Sequence, residues 1–217
     1  VRFSFSKTNL LIANNMSQKL KLSDTEKQTI ATLVQQAISE AKTLVTLNNK
    51  KATYWANLGE VYRNVLLLAQ GADAWAISSY QRSLALDPNN PNYYFNLGSI
   101  YYVLGNYDES IRFFEQAAAL KPNIPNFMYN LSWALFQKKD YLKAVNSMEA
   151  AVKLVDSKTD DYKKAKKELE EFKAMLPKEE AKTTEKQLKP ETLSVPAPAA
   201  SVTPQIKLPK DNEPPTQ

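Results

Sequence analysis

Between Asp24 and Leu47 the apolar residues Ile30, Leu33, Val34, Ala37, Ile38, Ala41, Leu44 and Val45 return every three or four positions, the spacing of one stripe along an α-helix. Ser23 and Glu26 stand at its start in capping-box order, so the helix is expected to begin there and run to about Leu47. Ahead of it, residues 4–22 carry a weaker pattern (Phe5, Leu10, Leu11, Ala13, Met16, Leu20) that predicts a helix of low amphipathicity. The two read as a degenerate leading hairpin over residues 1–51. Strand alternation and hairpin-turn pairs are missing along the chain.

From Ala52 onward a longer period takes over. Leu86, Pro88, Asn89, Pro91 and Asn92 spell L-x-P-N-x-P-N, and Leu120, Pro122, Asn123, Pro125 and Asn126 spell it again 34 residues later. Trp55-Ala56-Asn57-Leu58-Gly59, Tyr94-Phe95-Asn96-Leu97-Gly98 and Met128-Tyr129-Asn130-Leu131-Ser132 give one word three times. A repeat of this length predicts stacked helical hairpins.

The central unit carries Tyr94, Leu97, Gly98, Tyr101, Ser110, Phe114, Ala117 and Pro122, and in this it resembles the tetratricopeptide repeat family. The third unit follows with Met128, Leu131, Ser132, Leu135, Ala144, Met148 and Ala151, but Asp156 stands where the closing proline is expected. The resemblance implies an all-α, right-handed superhelix of antiparallel hairpins, with units at 52–90, 91–124 and 125–157. It covers Ala52 to Val155 specifically and Phe5 to Leu176 loosely. Small residues such as Gly98 and Ala117 would let two helices approach, while Tyr94, Leu97, Tyr101 and Phe114 fill the space between them.

The first unit is longer than the others. Gly59 to Pro88 spans 29 positions against 24 from Gly98 to Pro122, and Gly59 to Gly71 spans twelve against seven from Gly98 to Gly105. The five extra residues are expected to lengthen the unit's first helix by about 7 Å, with Val65, Leu66 and Leu68 extending its seam against the overlong helix before it. A protruding interaction surface is the other reading of the same residues. In the second helix, expected over Asp73 to Leu86, Trp75 reads as core rather than as a ligand anchor.

Beyond the third unit, Ser157 to Asp161 opens a helix with cap and acidic residues suited to its dipole. Tyr162, Ala165, Leu169, Phe172 and Leu176 line one face, and lysines and glutamates fill the rest, including the pairs Lys164 with Glu168 and Lys167 with Glu171. Residues 158–176 are therefore expected to cap the array and give it a solvated end. Residues 177–217 hold eight of the twelve prolines and no aromatic residue, a composition that predicts a disordered tail. Its prolines never fall in P-x-x-P spacing, so it reads as a linker.

Composition narrows the chemistry. The 217 residues include no cysteine and no histidine, which excludes disulfides, thiolate or zinc–histidine metal sites and histidine acid–base catalysis. Four glycines are too few for a phosphate loop, and serines such as Ser110 and Ser132 sit at packing positions with no base to activate them. The Asn-x-Ser triplets at Asn15 and Asn130 fall on helices and carry no weight. No enzyme activity, cofactor or metal is expected. The net charge of +5 is thinly spread, without the basic stripe of a nucleic-acid binder. No apolar run approaches the ~20 residues of a membrane span. The chain opens at Val1 without a signal-peptide pattern and reads as a fragment. The bacterial repeat proteins it resembles imply a membrane-anchoring portion upstream, leaving the array either cytoplasmic or tethered.

What remains is the concave surface, which in this family is formed by the first helix of each hairpin. Counting places Thr53, Ala56, Glu60, Arg63 and Asn64 on it from the first unit, and Asn92, Phe95, Ser99, Tyr102 and Val103 from the second. The third contributes Asn126, Tyr129, Trp133, Phe136 and Gln137. Asn57, Asn96 and Asn130 lie beside them as possible partners for a peptide backbone. Glu60 and Arg63, one turn apart, are expected to neutralise each other. A subset of the family grips a C-terminal carboxylate with lysine and arginine, but here those places hold Ala56, Glu60, Asn126 and Asn130. The expected role is a scaffold that binds a protein or peptide segment, with Trp133 as its strongest anchor. The alternative is a structural module that positions another part of its own protein. Tyr129, Trp133 and Phe136 are either open to a ligand or covered by the capping helix.

Overall fold

The computed structural model describes residues 2–19, 21–66 and 69–176. Their secondary structure is helical: α1 (Arg2–Ser17), α2 (Asp24–Leu47), α3 (Ala52–Arg63), α4 (Ala72–Leu86), α5 (Pro91–Val103), α6 (Tyr107–Leu120), α7 (Pro125–Gln137), α8 (Tyr141–Leu154) and α9 (Asp160–Ala174). The starts of α5 and α7, and of α6 and α8, fall on the 34-residue spacing. Pro91 and Pro125 open their helices at the position where a missing N–H costs nothing. Side chains of Asn90, Asn106, Asp140 and Thr159 accept hydrogen bonds from first-turn amides of the helices they precede.

The capping box at the start of α2 is complete: Ser23 Oγ accepts from Glu26 N at 3.2 Å and Glu26 Oε2 accepts from Ser23 N at 2.9 Å. Lys19 adds a hydrogen bond to Glu26, and this bond, followed by those from Ser23, lowers the Glu26 carboxyl from 4.5 to about 2. A carboxyl depressed in the fold contributes stability that is full above the unfolded value and lost as pH falls through the folded one. The melting temperature of the wild type should therefore exceed that of Glu26→Gln at pH 6, and the gap should close between pH 4.5 and 2. A gap independent of pH would contradict the ion pair.

Helices pair as four antiparallel hairpins (α1/α2, α3/α4, α5/α6, α7/α8). The second helix of each packs on the first helix of the next, ending with α8 on α9. The close approach within each hairpin rests on one small residue. A Cβ on Gly59 would lie 2.8 Å from Tyr80 Cδ2, and one on Gly98 would lie 2.6 Å from Phe114 Cδ1. In the α7/α8 hairpin the small residue is Ser132, and opposite it stands Met148, whose unbranched side chain gives way where a ring does not. Ser110 and Ser132 are fully buried, and Ser110 Oγ donates to the Gly98 carbonyl at 2.9 Å, so these serines serve packing.

The leading hairpin and the first unit depart from expectation. Helix α3 has 12 residues, no longer than the 13 of α5 and α7, so the five extra residues do not lengthen it. They lie in the connection between α3 and α4. The helix stops because Asn64 Nδ2 donates to the Glu60 carbonyl at 2.7 Å while its Oδ1 accepts from Asn14 Nδ2 at 3.1 Å, tying the end of α3 to α1. Val65, Leu66 and Ala69 still join the core cluster that contains Val34, Ala37 and Ile38, so these three residues pack toward the overlong α2. Leu68 lies outside the described residues, as does Leu20. Trp75 stacks on Tyr62 at 5.5 Å with Lys42 over its ring, which is a packing role. In α1 the buried stripe is Ser6, Asn9, Leu10 and Ala13, whereas Phe5 and Leu11 are 48 and 60 % exposed.

The turn inside each of the three later hairpins holds a left-handed residue, Gly71 at φ +74° in the first of them. Gly105 supplies it at φ +73° between α5 and α6, and the residue 34 positions on is Lys139, at φ +67°. A side chain in this region costs ~1–2 kcal/mol, partly offset by the unfolded-state freedom that glycine brings. Lys139→Gly should therefore raise stability by about 0.5–1 kcal/mol in urea unfolding, and Gly105→Ala should lower it by a similar amount. A loss on Lys139→Gly would contradict this.

Candidate functional site

The first helices of the hairpins line up side by side, α1 against α3 and α5 against α7, and their free edges form one face. Two clefts open on it. The first, of about 570 Å³, lies between the two proline–asparagine linkers and is lined by Asp87, Asn90, Asn92, Phe95, Lys121 and Asn126 among others. The second, of about 250 Å³, lies toward the N-terminus and is lined by Phe3, Lys7, Thr53, Ala56, Asn57, Glu60, Arg63, Tyr80, Tyr93 and Asn96. Thr53, Ala56, Glu60, Arg63, Asn92, Phe95 and Asn126 were expected on the concave face from the count along α3, α5 and α7, with Asn57 and Asn96 beside it. Phe3 and Lys7 were not, although α1 is itself the first helix of a hairpin and the same count could have reached it.

Lys7 changes the electrostatics. Its Nζ lies 3.1 Å from Glu60 Oε2, and Arg63 Nη1 donates to Asn96 Oδ1 at 2.8 Å. Glu60 and Arg63 therefore do not pair with each other: each reaches a neighbouring helix instead. With Lys7 and Glu60 partly solvated, their bond contributes little to stability, but it leaves no net charge at that point. Burial pushes the Tyr80 phenol well above its ordinary value, and the Arg63 charge opposes this only in part. The phenol is thus a hydrogen-bond donor at any physiological pH.

The amides divide into two kinds. Asn96 Nδ2 donates to the Asn92 carbonyl at 2.7 Å, and Asn130 Nδ2 donates to the Asn126 carbonyl at 2.8 Å and its Oδ1 at 2.9 Å, each reaching back one helical turn. Ser99 does the same to Phe95. Asn57 is different: it is buried, and its Nδ2 donates to Ser6 Oγ of α1 at 3.3 Å. Asn92 and Val103 are exposed, and Phe95 and Tyr102 are half-buried. Phe95 packs between Phe114 and Phe127, with ring centroids 5.5 and 5.3 Å away, and Tyr102 meets Tyr107 edge-on at 5.7 Å.

At the C-terminal end of the face, α9 packs against the aromatic residues of the third unit. Trp133 meets Phe172 edge-on at 5.0 Å and Phe136 stacks on Phe172 at 4.3 Å, while Lys164 sits over the Tyr129 ring at 5.7 Å. Burial, with Glu168 beside it, raises the Tyr129 phenol above its ordinary value. All three aromatics are half-buried and pack against one cluster with Ala165, Leu169 and Phe172 of the capping helix. Lys164 reaches Glu168 at 4.0 Å and Lys167 reaches Glu171 at 3.9 Å. Among the described residues no helix is long and apolar enough to cross a membrane. The proline-rich tail lies outside the described residues.

Three family models match the chain: a TPR repeat over residues 66–105 and tetratricopeptide repeats over residues 91–124 and 125–154. No curated protein matches it. Among solved structures, MamA is similar at 19% identity and a TM-score of 0.53, with 76% of this chain and 99% of that one covered. TTC0263, a thermophilic TPR protein in Thermus thermophilus, is similar at 22% identity and a TM-score of 0.55, covering 64% of this chain and 75% of that one. The first TPR of Spaghetti (RPAP3), solved with the HSP90 peptide SRMEEVD bound, is similar at 22% identity and a TM-score of 0.50, covering 58% of this chain and 92% of its own. The likeness to these structures is one of fold. Together with the 34-residue period, the small-against-large contact at Gly98 and the stacked hairpins, the matches establish residues 66–154 as repeats of the tetratricopeptide family.

Proposed function

We propose that the chain is a non-catalytic scaffold that holds an extended segment of another protein, rather than nucleic acid, across the face of α3 and α5. The observation that carries this reading is the pair of clefts opening on that face, lined by Glu60, Arg63, Asn92, Phe95 and Asn96. That a structure of the same fold was solved with a peptide bound supports it. A carboxylate grip of the kind expected in one subset of the family is not favoured: Lys7 brings a cation to the face, but Glu60 neutralises it. With Trp133 and Phe136 engaged by α9, the anchors shift to the uncovered part of the groove, where Tyr102, Phe95 and the amides remain.

The test is a peptide selected from a random display library on the full chain and titrated at low and high salt. Asn96→Ala and Tyr102→Ala should each weaken binding at least about fivefold, the ~1 kcal/mol of a significant contact, and salt should change it only modestly, because Lys7 is paired with Glu60 and Arg63 is, among the described residues, the one cation left over in that cleft. Affinity that collapses with salt and survives both substitutions would contradict the reading. A second reading, a module that positions another portion of a larger protein, is favoured by α1. Phe5, Leu11 and Ile12 are exposed on it beside the uncharged Thr8 and Asn15, whereas α9 at the other end presents lysines and glutamates.

A further inference from the structure

The N-terminal cleft contains a hydrogen-bond acceptor with nothing to accept from. Asn57 is 2 % exposed, and its Oδ1 is buried without a partner. The orientation of the amide is set by chemistry. Ser6 gives its hydroxyl proton to the Ala37 carbonyl at 3.0 Å, so toward Asn57 it can only accept, which requires the NH₂ end there and turns the carbonyl end away from α1. The equivalent amides, Asn96 and Asn130, instead spend their NH₂ groups on the backbone one turn back. Buried acceptors in native folds nearly always have donors, and Asn57 belongs to the lining of the cleft.

Resting on the peptide-groove reading above, we propose that this cleft is an anchor pocket for one primary carboxamide of a bound segment, the side chain of a glutamine or asparagine. Its volume of about 250 Å³ is that of roughly eight waters, room for one long side chain and not for a folded element. A carboxylate has no donor for Asn57 Oδ1 and would leave it unpaired. An ammonium or guanidinium group has donors but would enter beside both Lys7 and Arg63. An aliphatic group leaves Oδ1 unpaired. A carboxamide supplies both halves from two separate atoms, where a hydroxyl must do both through one oxygen: its NH₂ donates to Asn57 Oδ1, and its carbonyl accepts from Arg63, Lys7 or the Tyr80 phenol. This specificity is opposite in kind to recognition of a carboxylate, because the pocket needs a donor as well as an acceptor from its ligand.

The experiment uses peptides selected on the full chain from a random display library. Groove binders should share a glutamine or asparagine at one position, and replacing it by glutamate or by lysine should weaken binding at least tenfold each in calorimetric titration. Asn57→Asp places a carboxylate at the unpaired acceptor and should shift the preferred residue from glutamine to lysine. Arg63→Gln, on the partly exposed surface, should narrow the glutamine-over-lysine preference and serves where the buried variant fails to fold. Groove binders with no amide preference, or a preference unmoved by these variants, would overturn the proposal while leaving the peptide groove intact. A library that yields no binder competing at Asn96 or Tyr102 contradicts the groove reading itself, and this inference with it.

Discussion

Gly98→Leu is expected to destabilise the protein by about 3 kcal/mol, the upper end of overpacking costs. Even a single Cβ at this position would stand 2.6 Å from Phe114 Cδ1 and 2.7 Å from Cε1, well inside contact distance. Phe114 cannot swing aside cheaply, since it is 1 % exposed and packs against Phe95. Gly59→Leu should behave alike, because its Cβ would meet the Tyr80 ring at 2.8 Å. Ala117→Leu, at a fully buried position, should also be costly. The double-mutant cycle sharpens the expectation: Gly98→Ala should cost less in a Phe114→Leu background than in the wild type, since the flexible side chain yields as Met148 does opposite Ser132. Urea unfolding midpoints unchanged in Gly98→Leu and Ala117→Leu would refute the helix register on which the groove assignments depend.

Phe172→Ala should remove about 3–5 kcal/mol, the usual cost of truncating a buried phenylalanine. The loss should fall on the cap rather than evenly on the array. Phe172 is 1 % exposed and touches both Trp133 and Phe136, and Ala165 and Leu169 are the other buried residues of α9. The remaining residues of the helix are largely charged and contribute solvation, not adhesion. A solenoid is stabilised by neighbour contacts, so a weakened end frays before the centre melts. Trp133 fluorescence should then shift to the red at denaturant concentrations where helical circular dichroism is still mostly intact. One sharp transition in both signals, at the wild-type midpoint, would contradict the assignment of Phe172 as the anchor of the cap.

Much of this was legible in the residues because the repeat writes its packing into single positions. The glycine or serine opposite a large side chain and the caps at Ser23 and Thr159 each do one physical job, and each lies where the sequence places it. The insertion was legible as a number and not as a shape. Counting between glycines shows how many residues are added, but an apolar run such as Val65 to Ala69 suits a helix as well as a loop. The decision falls to Asn64, whose side chain bonds both to its own helix end and to Asn14, a contact 50 residues away in sequence. Helix α1 was obscured for a related reason. Half of its buried stripe is polar, Ser6 and Asn9, while two of the apolar residues that drew attention to it, Phe5 and Leu11, face outward. The same weakness hid Lys7, and with it the pairing that separates Glu60 from Arg63.

In the proposed complex a partner segment lies on the face of α3 and α5 and meets the start of α7. Backbone amide spectra of the labelled full chain, recorded with and without a library-selected peptide, test it most directly. The account predicts that the perturbed amides cluster in Ala56 to Asn64 and Asn92 to Val103, with a smaller set near Asn126, and that α9 changes little. Perturbations confined to the outer face of α1 around Phe5 and Ile12, or to α9, would contradict it.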